Sequence, residues 1–373
     1  MLSMINVFEP YIFTKDKFEV LKSLNKKEIS GTSRAVQDLE DQLSIFFNRK
    51  YSLAVSNGSS ALDVALNALK LKEGDEVILP SFTIISCLSA VIRSGAVPVF
   101  CDVDKNTWNM KLKNVEEVFT KKTRAVLMVH TYGLTAEASE IKQFCKDNSL
   151  FLIEDAAEAH GQTYDGIKCG SFGDISTLSF YANKHISSGE GGAVMTDSNE
   201  FNSLIKKMRN LDFDNNKRFF HNNLYWNYRI SGLQASLAKS QIKSIEKIIK
   251  YKKEQGKLYD NLFKNHQELF SLPIERTENS SNHYWVYGLV LKKDGIRDLL
   301  MKSLMEDGIE TRPFFWPLHL QNINQLPSKI NPNLKNSEFI GNNGLYIPTG
   351  AHLNKKIQTF IAETLINKVR SYM

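Results

Sequence analysis

The segment that decides the fold is IEDAAEAHGQTYDGIKCGSFGDISTLSFYANKHISSGEGGAV, which runs from Ile153 to Val194. It begins at the end of an apolar strand, which delivers the carboxylates of Glu154 and Asp155. It closes on Lys184, which precedes the glycine-rich turn Gly189–Gly192. The pattern therefore places an acid at a strand end and an amine on a later tight loop.

Pyridoxal phosphate needs two fixed points of this kind. A lysine forms the covalent bond to its aldehyde, and a carboxylate keeps its pyridinium nitrogen protonated, so that the ring takes up electrons. Taken singly, Asp155 is explained more simply as a helix cap and Lys184 as a solvated surface charge. The pattern around both residues favours the cofactor.

Composition narrows the class of protein. The length of 373 residues suits a large domain plus a smaller one, and 42% hydrophobic with 24% charged residues is typical of soluble globular proteins. We expect no signal peptide and no membrane span, because the first residues lack a leader pattern and no apolar run approaches about 20 residues. The four cysteines show no CxxC spacing, which predicts reduced thiols in a cytoplasmic setting and no metal site.

The distribution of charge along the chain indicates which classes of partner to expect. The net charge is +6, but basic residues are spread among acidic ones, which argues against a nucleic-acid partner. A mildly basic balance also suits a substrate that carries a diphosphate.

The stretch YSLAVSNGSSALDVALNAL, residues 51–69, predicts a strand, a turn of small residues and a helix. Free backbone N–H groups and the helix dipole make such a helix start an anion site. It is not a Walker loop, because no GK[ST] follows. An ordinary N-cap by Asn57 or Ser59 is the alternative, and one residue can serve both roles.

Strands and helices alternate from residue 52 to residue 196, which predicts a mainly parallel sheet with helices on both faces. Apolar residues at helical spacing then predict one long helix from Ser231 to Phe263. We predict a large domain over residues 1–248, with an N-terminal arm, and a small C-terminal domain over residues 249–373.

The segments EDAAEAHG (154–161), SFGDISTLSFYANK (171–184) and SGEGGAVMTD (188–197) resemble the DegT/DnrJ/EryC1/StrS family of sugar-nucleotide aminotransferases. The resemblance extends over nearly the whole chain. It implies an α/β chain of fold type I, the architecture of aspartate aminotransferase, with a mainly parallel seven-stranded sheet in the large domain and a smaller C-terminal α+β domain. It also implies pyridoxal 5'-phosphate as the cofactor.

The resemblance implies Lys184 and Asp155 as the catalytic residues. The cofactor contacts that it implies are Gly58, Ser59, Thr83, Ile84, Asp155, Ala157, Glu158, Ser179, Lys184 and Asn227. Relatives often carry an aromatic residue at the position of Ile84, where it stacks on the ring, and many carry glutamine at that of Glu158, where it meets the ring hydroxyl. In relatives the residue matching Asn227 reaches the phosphate of the neighbouring subunit, which implies a homodimer with shared active sites.

Further residues are candidates for contact with the substrate: His160, His185, Arg229, Arg312, Phe315 and His319. For three of them the sequence offers a structural alternative. His160 suits a core position, Arg229 suits a surface salt bridge, and Phe315 suits a core between domains.

The stretches NKHISSGEGG and ETRPFFWPLH look closest to the members that aminate C4 of a nucleotide-linked 4-keto-6-deoxyhexose, the perosamine and viosamine synthases. The implied amino donor is L-glutamate. Three alternatives stay open: amination at C3 or of an N-acetylated sugar, deoxygenation, and cofactor binding by a regulator without catalysis. Deoxygenating members carry histidine in place of the lysine, and here the pattern aligns Lys184, not His185, with that position.

Overall fold

The computed structural model describes residues 4–213, 219–326 and 333–373. Its strands, in chain order, are β1 (Phe8–Glu9), β2 (Tyr51–Val55), β3 (Glu76–Pro80), β4 (Val97–Cys101), β5 (Thr123–Val129), β6 (Phe151–Asp155), β7 (Thr163–Tyr164), β8 (Ile167–Lys168), β9 (Ile175–Ser179), β10 (Gly192–Thr196), β11 (Phe270–Ser271), β12 (Tyr287–Leu291), β13 (Arg312–Pro313), β14 (Gly344–Ile347) and β15 (Thr349–Gly350). Its α-helices are α1 (Thr14–Asn25), α2 (Arg34–Phe47), α3 (Gly58–Ala68), α4 (Ile85–Arg93), α5 (Leu112–Glu116), α6 (Ala138–Asp147), α7 (Asn199–Met208), α8 (Gly232–Ile242), α9 (Ile245–Phe263), α10 (Arg297–Glu306), α11 (Lys335–Asn343) and α12 (Lys355–Tyr372).

The main sheet has seven strands in the order β2-β10-β9-β6-β5-β3-β4. Strand β10 is antiparallel to both of its neighbours, and the other pairings, from β9 across to β4, are parallel. The prediction of a mainly parallel seven-stranded sheet is therefore confirmed. Because the strands are parallel, the carboxyl ends of β3, β5, β6 and β9 meet at one edge, which is where open α/β sheets place their ligands.

Helices cover both faces of this sheet. Helices α3 and α4 pack one face into a core rich in alanine, leucine and valine, and α2 and α8 pack the other into a second core. The strands are buried on both sides and read as continuous apolar runs, as parallel strands do. All four cysteines are buried and free.

A second sheet is antiparallel, in the order β11-β12-β14-β13, and packs against α9, α10 and α12. The predicted single helix from Ser231 to Phe263 is wrong in one respect, because it is divided into α8 and α9 around Ser244. The amides of Lys243 and Ser244 bond three residues back, to Ser240 and Gln241, which ends α8 while the apolar spacing continues. The predicted boundary at residue 248 falls inside α9 and stays a prediction. Among the described residues, we find no helix with both the length and the apolar character needed to cross a lipid bilayer.

Glu154 ties the end of β6 to the turn before β9. Its carboxylate is fully buried and accepts hydrogen bonds of 2.5 to 3.1 Å. The donors are the backbone N–H groups of Gly170, Phe172 and Gly173, the hydroxyl of Ser176 and Nε2 of His130. Burial alone would raise the pKa of Glu154, but His130 and the backbone donors outweigh burial and lower the pKa to about 2.

We predict that Glu154→Gln destabilises the fold at neutral pH. The pKa of Glu154 falls from 4.5 to about 2 on folding, which corresponds to about 3 kcal/mol of stability. Because the folded pKa is the lower one, this stability is present above pH 4.5 and is lost as the pH falls towards 2. Thermal unfolding of the variant and the wild type from pH 3 to pH 8 measures the difference, which should shrink towards acid.

The matched control is Glu73→Gln, which neutralises an exposed glutamate. It should leave the melting temperature within about a degree of wild type, since exposed substitutions change stability by roughly ±0.5 kcal/mol. Equal melting temperatures for Glu154→Gln and Glu73→Gln at pH 7 would contradict the role given to Glu154.

Candidate active site

A cavity of about 420 Å³ opens at the carboxyl edge of the main sheet. Its walls come from the residues that follow β2, β3, β5, β6 and β9 and from the second sheet. They are Asn57, Gly58, Ser59, Leu62, Thr83, Ile84, Ser86, Val129, His130, Asp155, Ala157, Glu158, Ser179, Tyr181, Asn183, Lys184, Glu190, Trp285, Phe315 and Tyr346.

Lys184 projects into this cavity from the loop after β9. Its amide donates to the carbonyl of Tyr181 at 2.9 Å, which closes a tight turn. Its Nζ lies 3.3 Å from Oε1 of Glu158 and 3.8 Å from the centre of a ring of Trp285. The side chain is only 11% exposed, so the amine is held away from bulk water.

Asp155 reaches the cavity from the end of β6 and is 3% exposed. One oxygen accepts the N–H of Ala157 at 3.0 Å and lies 3.5 Å from the hydroxyl of Thr177, while the other accepts the thiol of Cys87 at 3.5 Å. Burial raises the pKa of Asp155, and the Ala157 N–H and the nearby charge of Lys184 lower it in part. The long contacts leave this carboxylate with capacity for a further, stronger partner in the cavity.

The opposite wall is the start of α3. Asn57 caps this helix by accepting the N–H of Ser60 at 2.8 Å, and the first N–H groups, of Gly58 and Ser59, have no partner within the helix. A Cβ at Gly58 would lie 2.8 Å from Cβ of Ser179, so only glycine lets α3 approach β9 this closely. The hydroxyls of Ser59 and Ser86 are 2.7 Å apart on the same wall. Free N–H groups, hydroxyls and a helix dipole together form an anion site.

Glu158 stands beside the lysine. Its Oε2 accepts the N–H of Tyr132 at 2.9 Å, and its Oε1 faces Lys184. Burial raises the pKa of Glu158 to about 7, against the lowering effect of Lys184 and the Tyr132 N–H. Carboxyl groups whose pKa is raised by burial in this way are common among the acid–base groups of active sites.

These walls fit pyridoxal phosphate. The start of α3 suits its phosphate, the buried carboxylate of Asp155 has capacity for its ring nitrogen, and Lys184 supplies the amine for its aldehyde. Ala157 is small enough to lie against a flat ring. Ile84, which is 39% exposed, offers an aliphatic surface at the position where relatives often carry an aromatic residue.

Most of the predicted site residues line this cavity: Gly58, Ser59, Thr83, Ile84, Asp155, Ala157, Glu158, Ser179, Lys184 and Phe315. Six others lie outside it in the same chain. His160 and His185 are buried behind the lysine loop, where Nδ1 of His160 accepts the N–H of Ile186. His319 bonds to Ser81 and Glu338, which makes it part of the packing under the second sheet.

The remaining three are at the surface. Arg312 pairs with Glu310 at 2.6 Å, and its side chain is 54% exposed. Asn227 is exposed and accepts the N–H of Arg229 at 2.8 Å, away from the cavity of its own chain. The predicted role of Asn227 in a neighbouring subunit stays a prediction.

Several lining residues were not predicted. Tyr181, Asn183 and Glu190 flank Lys184 in the chain, so their closeness in sequence was the available signal. Trp285 and Tyr346 come from the second sheet, more than 100 residues further along, and only the tertiary fold brings them to the lysine. The indole N–H of Trp285 donates to the carbonyl of Asn183 at 2.9 Å, which joins the two parts of the chain at the site.

Comparison with known proteins agrees with this geometry. Residues 11–366 match the profile of the DegT/DnrJ/EryC1/StrS aminotransferase family. The chain is 34% identical over 321 residues to GDP-perosamine synthase of Vibrio cholerae, with 85% of this chain and 86% of that protein aligned. It is 32% identical over 364 residues to GDP-perosamine synthase of Escherichia coli O157:H7, with 98% of each chain aligned.

Among solved structures, PseC of Helicobacter pylori, an aminotransferase involved in the biosynthesis of pseudoaminic acid, superposes with a TM-score of 0.92 at 25% identity, covering 99% of this chain and 100% of PseC. The fold agrees with the family match, which extends over nearly the full length of the chain. The chain belongs to the DegT/DnrJ/EryC1/StrS aminotransferase family and is a pyridoxal phosphate-dependent transaminase.

Proposed function

We propose that this protein moves the amino group of L-glutamate to C4 of a nucleotide-linked 4-keto-6-deoxyhexose, with GDP as the nucleotide. One observation carries the transaminase chemistry: Lys184 and Asp155 share a buried cavity whose far wall is the start of α3. The two GDP-perosamine synthases, at 34% and 32% identity, support the sugar nucleotide and the C4 position.

Asp155 holds the charge that the reaction requires. Bound pyridoxal phosphate supplies an aldehyde that captures amines and a protonated ring that accepts electrons. The carboxylate of Asp155, buried and with acceptor capacity left, stabilises the proton on the ring nitrogen. Because water is excluded here, this single charge acts more strongly than it would in solution.

Lys184 is the group that moves protons. With the cofactor bound, Nζ of Lys184 would take the proton from the α-carbon of glutamate, and in the second half of the reaction it would deliver a proton to C4 of the sugar. The tight turn from Tyr181 to Lys184 fixes the backbone of the lysine, so the same amine serves both halves. Ser59, Ser179 and the N–H groups that begin α3 anchor the phosphate and keep the ring in place.

One part of the cavity wall suits a hexose. Trp285, Phe315 and Tyr346 present aromatic surfaces to the cavity, against which the apolar face of a sugar packs. The ring of Phe315 is itself held by Tyr132, with ring centres 5.1 Å apart.

The active sites are shared between two copies of the chain. Asn227 is exposed and turned away from its own cavity, so its proposed contact with phosphate requires a second subunit. We therefore propose a homodimer in which each copy completes the site of the other.

Amination at C3 or of an N-acetylated sugar is the nearest alternative within the same family. Lys184 in the cavity argues against deoxygenation, since that chemistry replaces the lysine by histidine and His185 is buried outside the cavity. A regulator without catalysis would bind the cofactor but leave glutamate unchanged.

The substrate proposal predicts the product of a direct assay. With glutamate and 4-keto-6-deoxy sugars linked to GDP, UDP or dTDP, the GDP sugar should be converted fastest to a 4-amino-4,6-dideoxy product. Mass spectrometry of products, with NMR to locate the amine, measures this outcome. Preference for a UDP-linked N-acetylated sugar would replace the proposed substrate by the nearest alternative, and oxygen loss in place of amine gain would refute transamination.

Lys184→Ala should abolish turnover, because no other group in the cavity supplies both the covalent bond and the proton transfer. After borohydride treatment with the cofactor, the wild type should carry a mass adduct at Lys184 and the variant should carry none. Lys243→Ala, which removes an exposed lysine, is the matched control and should keep both the adduct and the activity. Normal turnover by Lys184→Ala would refute the assignment.

Sharing of active sites predicts rescue between variants. Lys184→Ala and Asn227→Ala homodimers should both be weak, but a mixed dimer contains one site with an intact lysine and an intact Asn227 from the other copy. Random mixing should restore about a quarter of wild-type activity, since half of the dimers are mixed and each has one complete site. Activity equal to the average of the two separate variants would show that Asn227 acts within its own chain or not at all.

A further inference from the structure

The amine of Lys184 lies between a carboxyl group and an aromatic ring. On one side is the carboxyl of Glu158, with Oε1 at 3.3 Å, and on the other is the face of Trp285, with a ring centre at 3.8 Å. An ammonium ion held in this way is stabilised by charge and by the aromatic face. A lysine that must bond to an aldehyde needs the neutral amine, so the resting position requires a route for the proton to leave.

We propose that Glu158 is a second acid–base group of the site, which takes a proton from the Lys184 ammonium and returns it when the lysine is released. In the forward step an Nζ–H bond breaks, an O–H bond forms at Oε1, and the electron pair stays on the nitrogen. No further reactant is needed. The inference rests on the proposed role of Lys184 as the residue that bonds to the cofactor.

The geometry aims one oxygen of Glu158 at the lysine. Oε2 is fixed by the N–H of Tyr132 at 2.9 Å, which leaves Oε1 directed towards Nζ. The residue is 6% exposed, so bulk water does not compete for the proton. A positioned base within hydrogen-bond reach of its proton is the first requirement for general acid–base catalysis.

The surroundings give this carboxyl a suitable proton affinity. Burial raises the pKa of Glu158 to about 7, Lys184 lowers it in part, and the charge of Asp155 raises it. The ionisable groups that face Glu158 across the cavity are Lys184, Asp155, Tyr132, Tyr346 and Cys87. Burial raises the pKa of both tyrosines and of the thiol above their ordinary values, so these three groups stay neutral near pH 7.

Trp285 defines where the ammonium rests. Its indole N–H donates to the carbonyl of Asn183 at 2.9 Å, and its own carbonyl accepts Nζ of the buried Lys252 at 3.0 Å. The ring is thus fixed through its nitrogen and the backbone of Trp285 through its carbonyl, and the ring faces the lysine on the side away from Glu158. The proton therefore passes directly from Nζ of Lys184 to Oε1 of Glu158, across the contact of 3.3 Å.

The test is the rate at which the full-length protein, freed of cofactor, bonds to added pyridoxal phosphate. The visible absorbance band gives the rate, and borohydride trapping with mass spectrometry locates the bond at Lys184. In the wild type the rate should fall as the pH drops through about 7, because Glu158 becomes protonated and no longer accepts a proton. In Glu158→Gln this inflection should vanish, and the rate at pH 8 should fall by about tenfold or more.

Two further variants make the result specific. Glu158→Asp keeps a carboxyl and should keep an inflection at a reduced rate, which separates acid–base action from simple packing. Glu73→Gln neutralises an exposed glutamate outside the cavity and should keep the wild-type inflection. Far-ultraviolet circular dichroism confirms that each variant is folded.

A rate for Glu158→Gln at pH 8 that equals or exceeds the wild-type rate would overturn the inference, because Glu158 would then only hold the ammonium in place. Failure of the proposed function looks different: the wild type itself would form no adduct at Lys184 at any pH.

Discussion

The buried carboxylate of Glu154 is the interaction on which the site depends. Three backbone N–H groups from the turn between β8 and β9, the hydroxyl of Ser176 at the start of β9 and His130 after β5 converge on it. Because His130 Nδ1 accepts the N–H of Ala136, its proton is on Nε2, where it donates to Glu154. Glu154 thus fixes the carboxyl ends of β5 and β6 relative to the start of β9.

Because side chains alternate along β6, the neighbouring residues Glu154 and Asp155 have different roles. Successive residues of a strand point to opposite faces, so Glu154 binds the turn while Asp155 faces the cavity. Strand β9, held in register beside β6, then carries Ser179 and the lysine loop to the same edge. The carboxyl edge of the main sheet therefore positions Asp155, Lys184 and the start of α3 around one cavity.

How far the sequence predicts this site depends on how local each signal is. Gly58, Asp155 and Lys184 could be found because each lies in a short run of small or glycine residues next to a strand, and such runs have few structural explanations. Trp285 and Tyr346 could not, because nothing near them in the chain distinguishes them from core aromatics and only the second sheet brings them in. His185 follows the lysine directly, yet the tight turn directs it into the core. The break between α8 and α9 was also invisible, since apolar residues keep their helical spacing across it.

Trp285 connects the second sheet to the loop that carries Lys184. The indole belongs to the segment that enters β12, yet it is bonded to the loop of the lysine and, through its carbonyl, to Lys252 on α9. A rotation of the second sheet against the first must therefore shift the surface on which the amine rests. A ligand in the cavity that displaces Trp285 would therefore also move the surface against which the amine of Lys184 rests.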